Sequence, residues 1–308
     1  MQTRVVVPLD GSEFAQGALP MALALARRGG AILELVHAVD PLPGDMSTFD
    51  ARFESDERDR LHTALVALAA KLSAETGTEV AARIIEGDVV VSLLRYIHET
   101  RASLVVMTTH GRSGLGRTWP GSVTDGLLRG SAAPVLFMPS GRETPREPGE
   151  PLFERVVLPL DDSEISEEIF LHALSLATPR QTTLLLLHVL DPGAVQIARA
   201  VAETAQDPLH HDTLIHEEYV AAADRLSRLA AELRDNCVEV TTEVVIASSP
   251  ARCIVTYAED HDVDLIALCT NTHHGLGQSA LGATADHVVR AARVPVLAHR
   301  PVARRLGD

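Results

Sequence analysis

The amino-acid sequence predicts an α/β protein made of two tandem doubly wound domains, each with a five-stranded parallel sheet between helices. Three observations predict it. One unit occurs twice, with its segments in the same order. In each copy, short apolar runs alternate with longer stretches whose apolar residues recur at three- and four-residue spacing. The short runs are almost continuously apolar, the pattern of strands buried on both faces.

The duplication is read by self-comparison. Val5–Glu13 (VVVPLDGSE) matches Val156–Glu164 (VVLPLDDSE), an offset of 151 residues, which His37 and Asp40-Pro41 share with His188 and Asp191-Pro192. Ser103–Met107 matches Asp264–Leu268 at an offset of 161, as do Gly114–Gly116 with Gly275–Gly277 and Ala133–Phe137 with Val294–Ala298. The second copy therefore carries ten more residues between Asp191 and Ser248. The expected domains are 1–140 and 152–302, joined by a Pro-, Gly- and charge-rich linker, 141–151.

In the first copy, Arg4–Leu9 reads as a buried strand ended by a turn. Ser12 to about Arg28 reads as one helix, which Gly29-Gly30 can close. Ala31–Val39 is a second strand. A long helix with Leu61, Leu65, Leu68 and Leu72 on one stripe follows, up to Gly77. Glu79–Ile85, Ser103–Thr108 and Pro134–Met138 are the remaining strands. Asp88–Thr100 and Ser122–Arg129 are helices, and a glycine-rich loop, Thr109–Gly121, precedes the last of them.

Composition limits the function. Of 308 residues, 46% are hydrophobic and 22% charged, as in an ordered globular protein. No apolar run reaches the roughly 20 residues that span a bilayer, and the N-terminus lacks the apolar core of a signal peptide. A cytoplasmic address is expected. The net charge of −15 disfavours nucleic acid and anionic lipid as partners. Cys237, Cys253 and Cys269 form no CxxC pair and read as reduced thiols. The sole lysine, Lys71, follows no glycine-rich loop, so a GxxxxGK[ST] phosphate loop is absent.

In doubly wound folds a ligand lies beyond the carboxyl ends of the strands, where strand order reverses. That selects the loop after the first strand, with Asp10, and the loop after the fourth. In the latter, nine residues separate Gly111 from Gly121 and Ser122 opens a helix. Glycines let the backbone approach an anion, and a helix start offers unpaired N–H groups with a partial positive charge. Arg112 flanks the loop and could screen a phosphate chain, although a surface role accounts for it equally well. His37 and His188 read as packing or hydrogen-bonded histidines. His210-His211, His216 and His273-His274 lack a metalloprotease spacing and read as loop residues, so no metal site is expected. No nucleophile sits in a GxSxG elbow and no paired carboxylates suggest acid–base catalysis.

Taken together, PLDGSE, TTHGRSGLG with Gly121-Ser122, and APVLF resemble the universal stress protein family, over nearly the whole chain and twice. The resemblance implies an adenine nucleotide α-hydrolase-like fold with flavodoxin-like layering. It also implies a nucleotide, ATP with Mg2+, held by the first copy. Asp10 and the backbone of Ala38 would meet adenine. Thr108 falls at the motif's first glycine, near the ribose, and Gly111, Gly121, Ser122 and Val123 match the phosphate-binding positions. The second copy departs further: Cys269, Thr272 and Ala283 replace the first glycine, Gly111 and Ser122, while Asp161 and Gly282 remain. It is expected to be a degenerate structural partner.

The leading expectation is a stress-response or signalling protein with slow ATP turnover at most. An interaction protein of the same fold without nucleotide, with an unknown protein partner, is the alternative. A slow ATPase is the second alternative. The resemblance further implies pairing through the last strands, Pro134–Met138 and Pro295–His299, as an internal pseudo-dimer, with association of two chains also open.

Overall fold

Hydrophobic strand sequence and crossover helices build the same architecture twice. The computed structural model describes residues 3–40, 48–109, 122–139, 150–195, 197, 211–236, 238–270 and 283–301. The chain divides into two units, built on Met1–Pro145 and Arg146–Pro301.

Unit 1 contains β1 (Arg4–Pro8), α1 (Glu13–Gln16), α2 (Leu19–Gly29), β2 (Ile32–Val39), α3 (Thr48–Thr76) and β3 (Val80–Glu86). It continues with α4 (Val89–Thr100), β4 (Leu104–Thr108), α5 (Ser122–Gly130) and β5 (Val135–Met138). Its strands are all parallel, in the order β3-β2-β1-β4-β5. Val6, Val7, Leu33, Leu35, Val105, Val106, Leu136 and Phe137 are fully buried. Burying each such side chain contributes about 1.5–3 kcal/mol. The chain winds outward from β1 to β2 and β3, then returns to place β4 on the other side of β1. The order reverses there, and the pairing of β1 with β4 stops at Val6 and Val105, so the carboxyl edge between them is where such folds open a crevice.

The expected single helix over Ser12–Arg28 is two helices. Pro20, near the start of α2, has no N–H to give to the carbonyl of Gln16, so the helix must restart. Gly17 and Ala18 make the joint, donating to the carbonyls of Phe14 and Ala15. Gly30 closes α2 in the left-handed region, φ 58°, with its N–H shared between the Ala26 and Arg27 carbonyls. On α3, Leu65 is buried and Leu61, Leu68 and Leu72 are half-buried, so the leucine stripe faces inward.

Unit 2 comprises β6 (Arg155–Leu160), a 3-10 turn (Glu164–Glu168), α6 (Ile169–Leu176), β7 (Thr183–Leu190), α7 (His211–Arg234) and β8 (Glu239–Ile246). Next come α8 (Pro250–Asp260), β9 (Leu265–Cys269), α9 (Ala283–Ala291) and β10 (Val296–His299). Its order, β10-β9-β6-β7-β8, is again wholly parallel. Most of the extra length, 198–210, and the linker residues 141–149 fall outside the described residues.

At the amino ends of the strands the two units solve one problem differently. In unit 1, buried Glu34 on β2 pairs with Arg4 Nε at 3.2 Å and accepts from Tyr96 Oη at 2.8 Å. Burial and this carboxylate push the Tyr96 phenol up to about 12. In unit 2, Leu185 holds the place of Glu34, and Glu243 on β8 accepts from Tyr257 Oη at 2.7 Å.

Candidate functional site

Two chain segments meet at the carboxyl edge of unit 1, the loop after β1 and the end of β2, and α5 follows β4 in the chain. The β1 loop is stiff. Asp10 Oδ1 accepts from both the backbone N and the hydroxyl of Ser12, and Gly11 sits at φ 80°. Ser12 in turn caps α1, its Oγ accepting from Ala15 N at 3.2 Å. His37 Nδ1 lies 2.7 Å from the Leu9 carbonyl, tying the end of β2 to the loop.

Strand parity explains what Ala38 can offer. Along β2, Ile32 and Val36 face β1, while Leu33 and Val39 face β3. Ala38 therefore turns its N–H and C=O toward β1, but β1 ends at Pro8 and its last rung joins Leu9 N to Val36 O. Among the described residues neither polar group of Ala38 has a backbone partner beyond the end of β1, so both are turned toward the carboxyl edge there.

Thr108 ends β4 and is buried, with its Cγ2 3.5 Å from where a Cβ on Gly17 would stand. Its backbone is not left-handed, because the described non-glycine residues with positive φ are Arg101, Arg180 and Asp262. Threonine at the motif's first glycine position thus sits in extended backbone that suits a β-branched residue. Thr109, also buried, donates to the Met138 carbonyl at 3.2 Å.

Ser122 is the exposed first residue of α5, Val123 is half-buried and Thr124 buried. The helix is seated on α4 through two glycines. A Cβ on Gly126 would stand 2.3 Å from Val90 Cγ1, and one on Gly130 2.7 Å from Leu94 Cδ1. Their spacing of four residues on each helix brings the axes close and fixes where the N–H groups of Ser122 and Val123 point. Gly111, Arg112 and Gly121 lie outside the described residues.

Unit 2 repeats part of this arrangement. Asp161 Oδ1 accepts from Ser163 N and Oγ, and His188 Nδ1 lies 3.0 Å from the Leu160 carbonyl. Ala283 replaces Ser122 at the start of α9. The difference that sequence reading missed is Arg225, on α7. Its guanidinium donates to the carbonyls of Asp161 (2.6 Å) and Ser163 (3.2 Å) and to the carboxylates of Glu167 (2.8 Å) and Asp162 (3.3 Å). By the repeat offset its counterpart in unit 1 is Ala64. A cation thus clasps the β6 loop where the β1 loop has none from that position.

A cavity of about 730 Å³ opens in unit 2 at the opposite, amino edge, between Arg155, Thr183, Glu239, Glu243 and Tyr257. Its tyrosine is already bonded to Glu243, and its size alone does not make it the better site. The carboxyl edge of unit 1 has the unpaired peptide edge and the seated helix start. No described helix is long and apolar enough to cross a membrane, and among the described residues no group of His, Cys, Asp and Glu is placed to hold a metal ion.

The fold defines a doubly wound α/β protein whose strand order reverses at the carboxyl edge, present in duplicate. The model of the universal stress protein family matches residues 1–139 and 152–300. The chain belongs to that family. A universal stress protein of Mycobacterium tuberculosis is 25% identical over 307 residues, covering 97% of each chain. A crystal structure of a universal stress protein from Archaeoglobus fulgidus superposes with a TM-score of 0.71 at 18% identity, covering 96% of this chain and 98% of that one. A universal stress protein crystallised in complex with cAMP is 24% identical, over 46% of this chain and 98% of its own, with a TM-score of 0.36.

Proposed function

We propose that unit 1 binds an adenine nucleotide, ATP with Mg2+, at its carboxyl-edge crevice, and that unit 2 is a degenerate structural partner. The observation that carries this reading is the peptide edge of Ala38. One N–H donor and one C=O acceptor, side by side and without ladder partners, match the acceptor–donor edge of adenine. Asp10, on the adjoining loop, adds a carboxylate for the amino group. Ser122 and Val123, at the positive end of α5, would receive phosphate oxygens through N–H groups and the Ser122 hydroxyl. Gly111, Gly121 and Arg112 complete the phosphate side by sequence, since the chain's one lysine lies on α3. Mg2+ would be carried by the phosphates. The protein acts in this reading as a nucleotide-responsive signalling module in the stress response, with ATP turnover slow at most.

Calorimetric titration of the full chain with Mg-ATP tests it: one site per chain is expected. Absence of both heat and thermal shift with ATP, ADP and AMP would favour the same fold acting as an interaction protein. The buried Thr108 at a glycine position is the feature on which that second reading draws.

A further inference from the structure

Four equivalent positions carry opposite chemistry in the two units. In unit 1 they are Gly17, Met21, Thr108 and Met138; the repeat offsets place Glu168, His172, Cys269 and His299 there in unit 2. In unit 1 the methionines are each 1% exposed and Thr108 packs toward Gly17, so none of the four can ionise. In unit 2 all four are titratable and they converge. The His172 and His299 rings lie 4.3 Å apart between centroids, and His299 Nε2 is 3.6 Å from Glu168 Oε2. Cys269 is the ladder neighbour of His299, on the same face of the sheet. His299 is 8% exposed, and its Nδ1 has no hydrogen-bond partner among the described residues.

This geometry tolerates two neutral imidazoles and resists a charged one. An imidazolium at His299 would bury an Nδ1–H without an acceptor and place a cation against the ring of His172. The groups facing the pair are Glu168 from the 3-10 turn, Cys269 from β9 and, near that thiol, Asp161 from the β6 loop. Glu168 attracts a proton to the pair, but its side chain is 44% exposed and screened by water. Burial outweighs it: His172 is lowered to about 4, by burial first and then by His299, and burial lowers His299 as well. A base lowered on folding binds its proton more tightly in the open state. Stability is therefore complete above the ordinary histidine value near 6.5 and is lost as pH falls from there toward 4.

We propose that the His172–His299 pair, with Glu168, is a proton-sensitive latch: acid loosens the 3-10 turn and α6 from β9 and β10, while unit 1 stays closed. Unit 1 supplies its own control, since Met21 and Met138 show which side chains make this contact insensitive to protons. The latch acts in unit 2 and holds whether or not unit 1 binds nucleotide.

Hydrogen exchange of the full chain at pH 7.5 and 5.0, corrected for intrinsic rates, tests it. Protection of 163–176 and 265–269 should drop at least about tenfold on acidification in the wild type, while 13–29 and 104–108 keep theirs. The double variant His172→Met/His299→Met should retain protection at both pH values. The half-buried His172→Met alone, which keeps a foldable core should the double variant fail, should lose less protection than the wild type. Equal protection of 163–176 at both pH values in the wild type, or an acid loss in His172→Met as large as the wild type's, would overturn the proposal.

Discussion

A Cβ built on Gly126 stands 2.3 Å from Cγ1 of Val90, too near for any side chain to fit unless Val90 or its helix shifts. The start of α5 is thus fixed by a missing methyl group one turn further along. In unit 2 the sizes change sides: the repeat offset puts His287 at the place of Gly126 and Ala251 at that of Val90.

Gly126→Ala is accordingly expected to destabilise unit 1 by about 1–3 kcal/mol through overpacking, despite alanine's better helix propensity. Chemical denaturation measures this. Val90→Ala in the same chain should recover most of the loss. Strictly additive effects would show that the two residues do not press on each other.

Nucleotide affinity should respond to Asp10 and not to its twin. Asp10→Ala is expected to weaken Mg-ATP binding by about 10- to 100-fold, the equivalent of one charged hydrogen bond, and Asp161→Ala to leave it unchanged. Calorimetry on both variants decides. Because Asp10 also holds Ser12, circular dichroism must first show an intact fold for Asp10→Ala.

Arg225→Ala, which copies Ala64 of unit 1, removes donors to four oxygens around the β6 loop. The guanidinium is 20% exposed, so a cost of about 1.5–3 kcal/mol is expected. Urea unfolding gives the size, and proteolysis within 161–168 should quicken. A loop no more sensitive than the wild type's would show that α7 is held by its leucines alone.

Cys269 should resist alkylation. Burial, with Glu168 adding to it, pushes its thiol up to about 12, so at pH 8 the reactive thiolate is scarce. Mass spectrometry after iodoacetamide treatment at pH 8 should find Cys269 labelled at least about tenfold more slowly than a free thiol. Labelling should rise sharply in chains unfolded by urea.

How much of this was legible follows from the range of each signal. The strands announce themselves as contiguous apolar runs, and the leucine stripe of α3 is a local period, so the elements and the duplicated fold emerge from the sequence. The break between α1 and α2 was also local; Pro20 held it, but the apolar residues on either side masked it. At the site, Asp10 and Ser122 were visible through their motifs, and Ala38 only by resemblance, because its contribution is parity along a strand. Arg225 lies 64 residues from the carbonyl of Asp161 that it grips, and nothing near it in sequence points there. The quartet in unit 2 needed four separate elements brought together, although aligning the two copies at Met21 and Met138 would have exposed the exchange of chemistry.

On the proposed reading Ala38 meets the nucleotide with main chain alone, which would free its side chain from selection by that ligand. Any residue able to keep an extended strand could stand there and leave the donor–acceptor pair intact; proline alone would strip the donor. Sequence drift at this position would consequently report nothing about whether a relative retains the pocket, and a search that scores side-chain identity would pass over one of its walls.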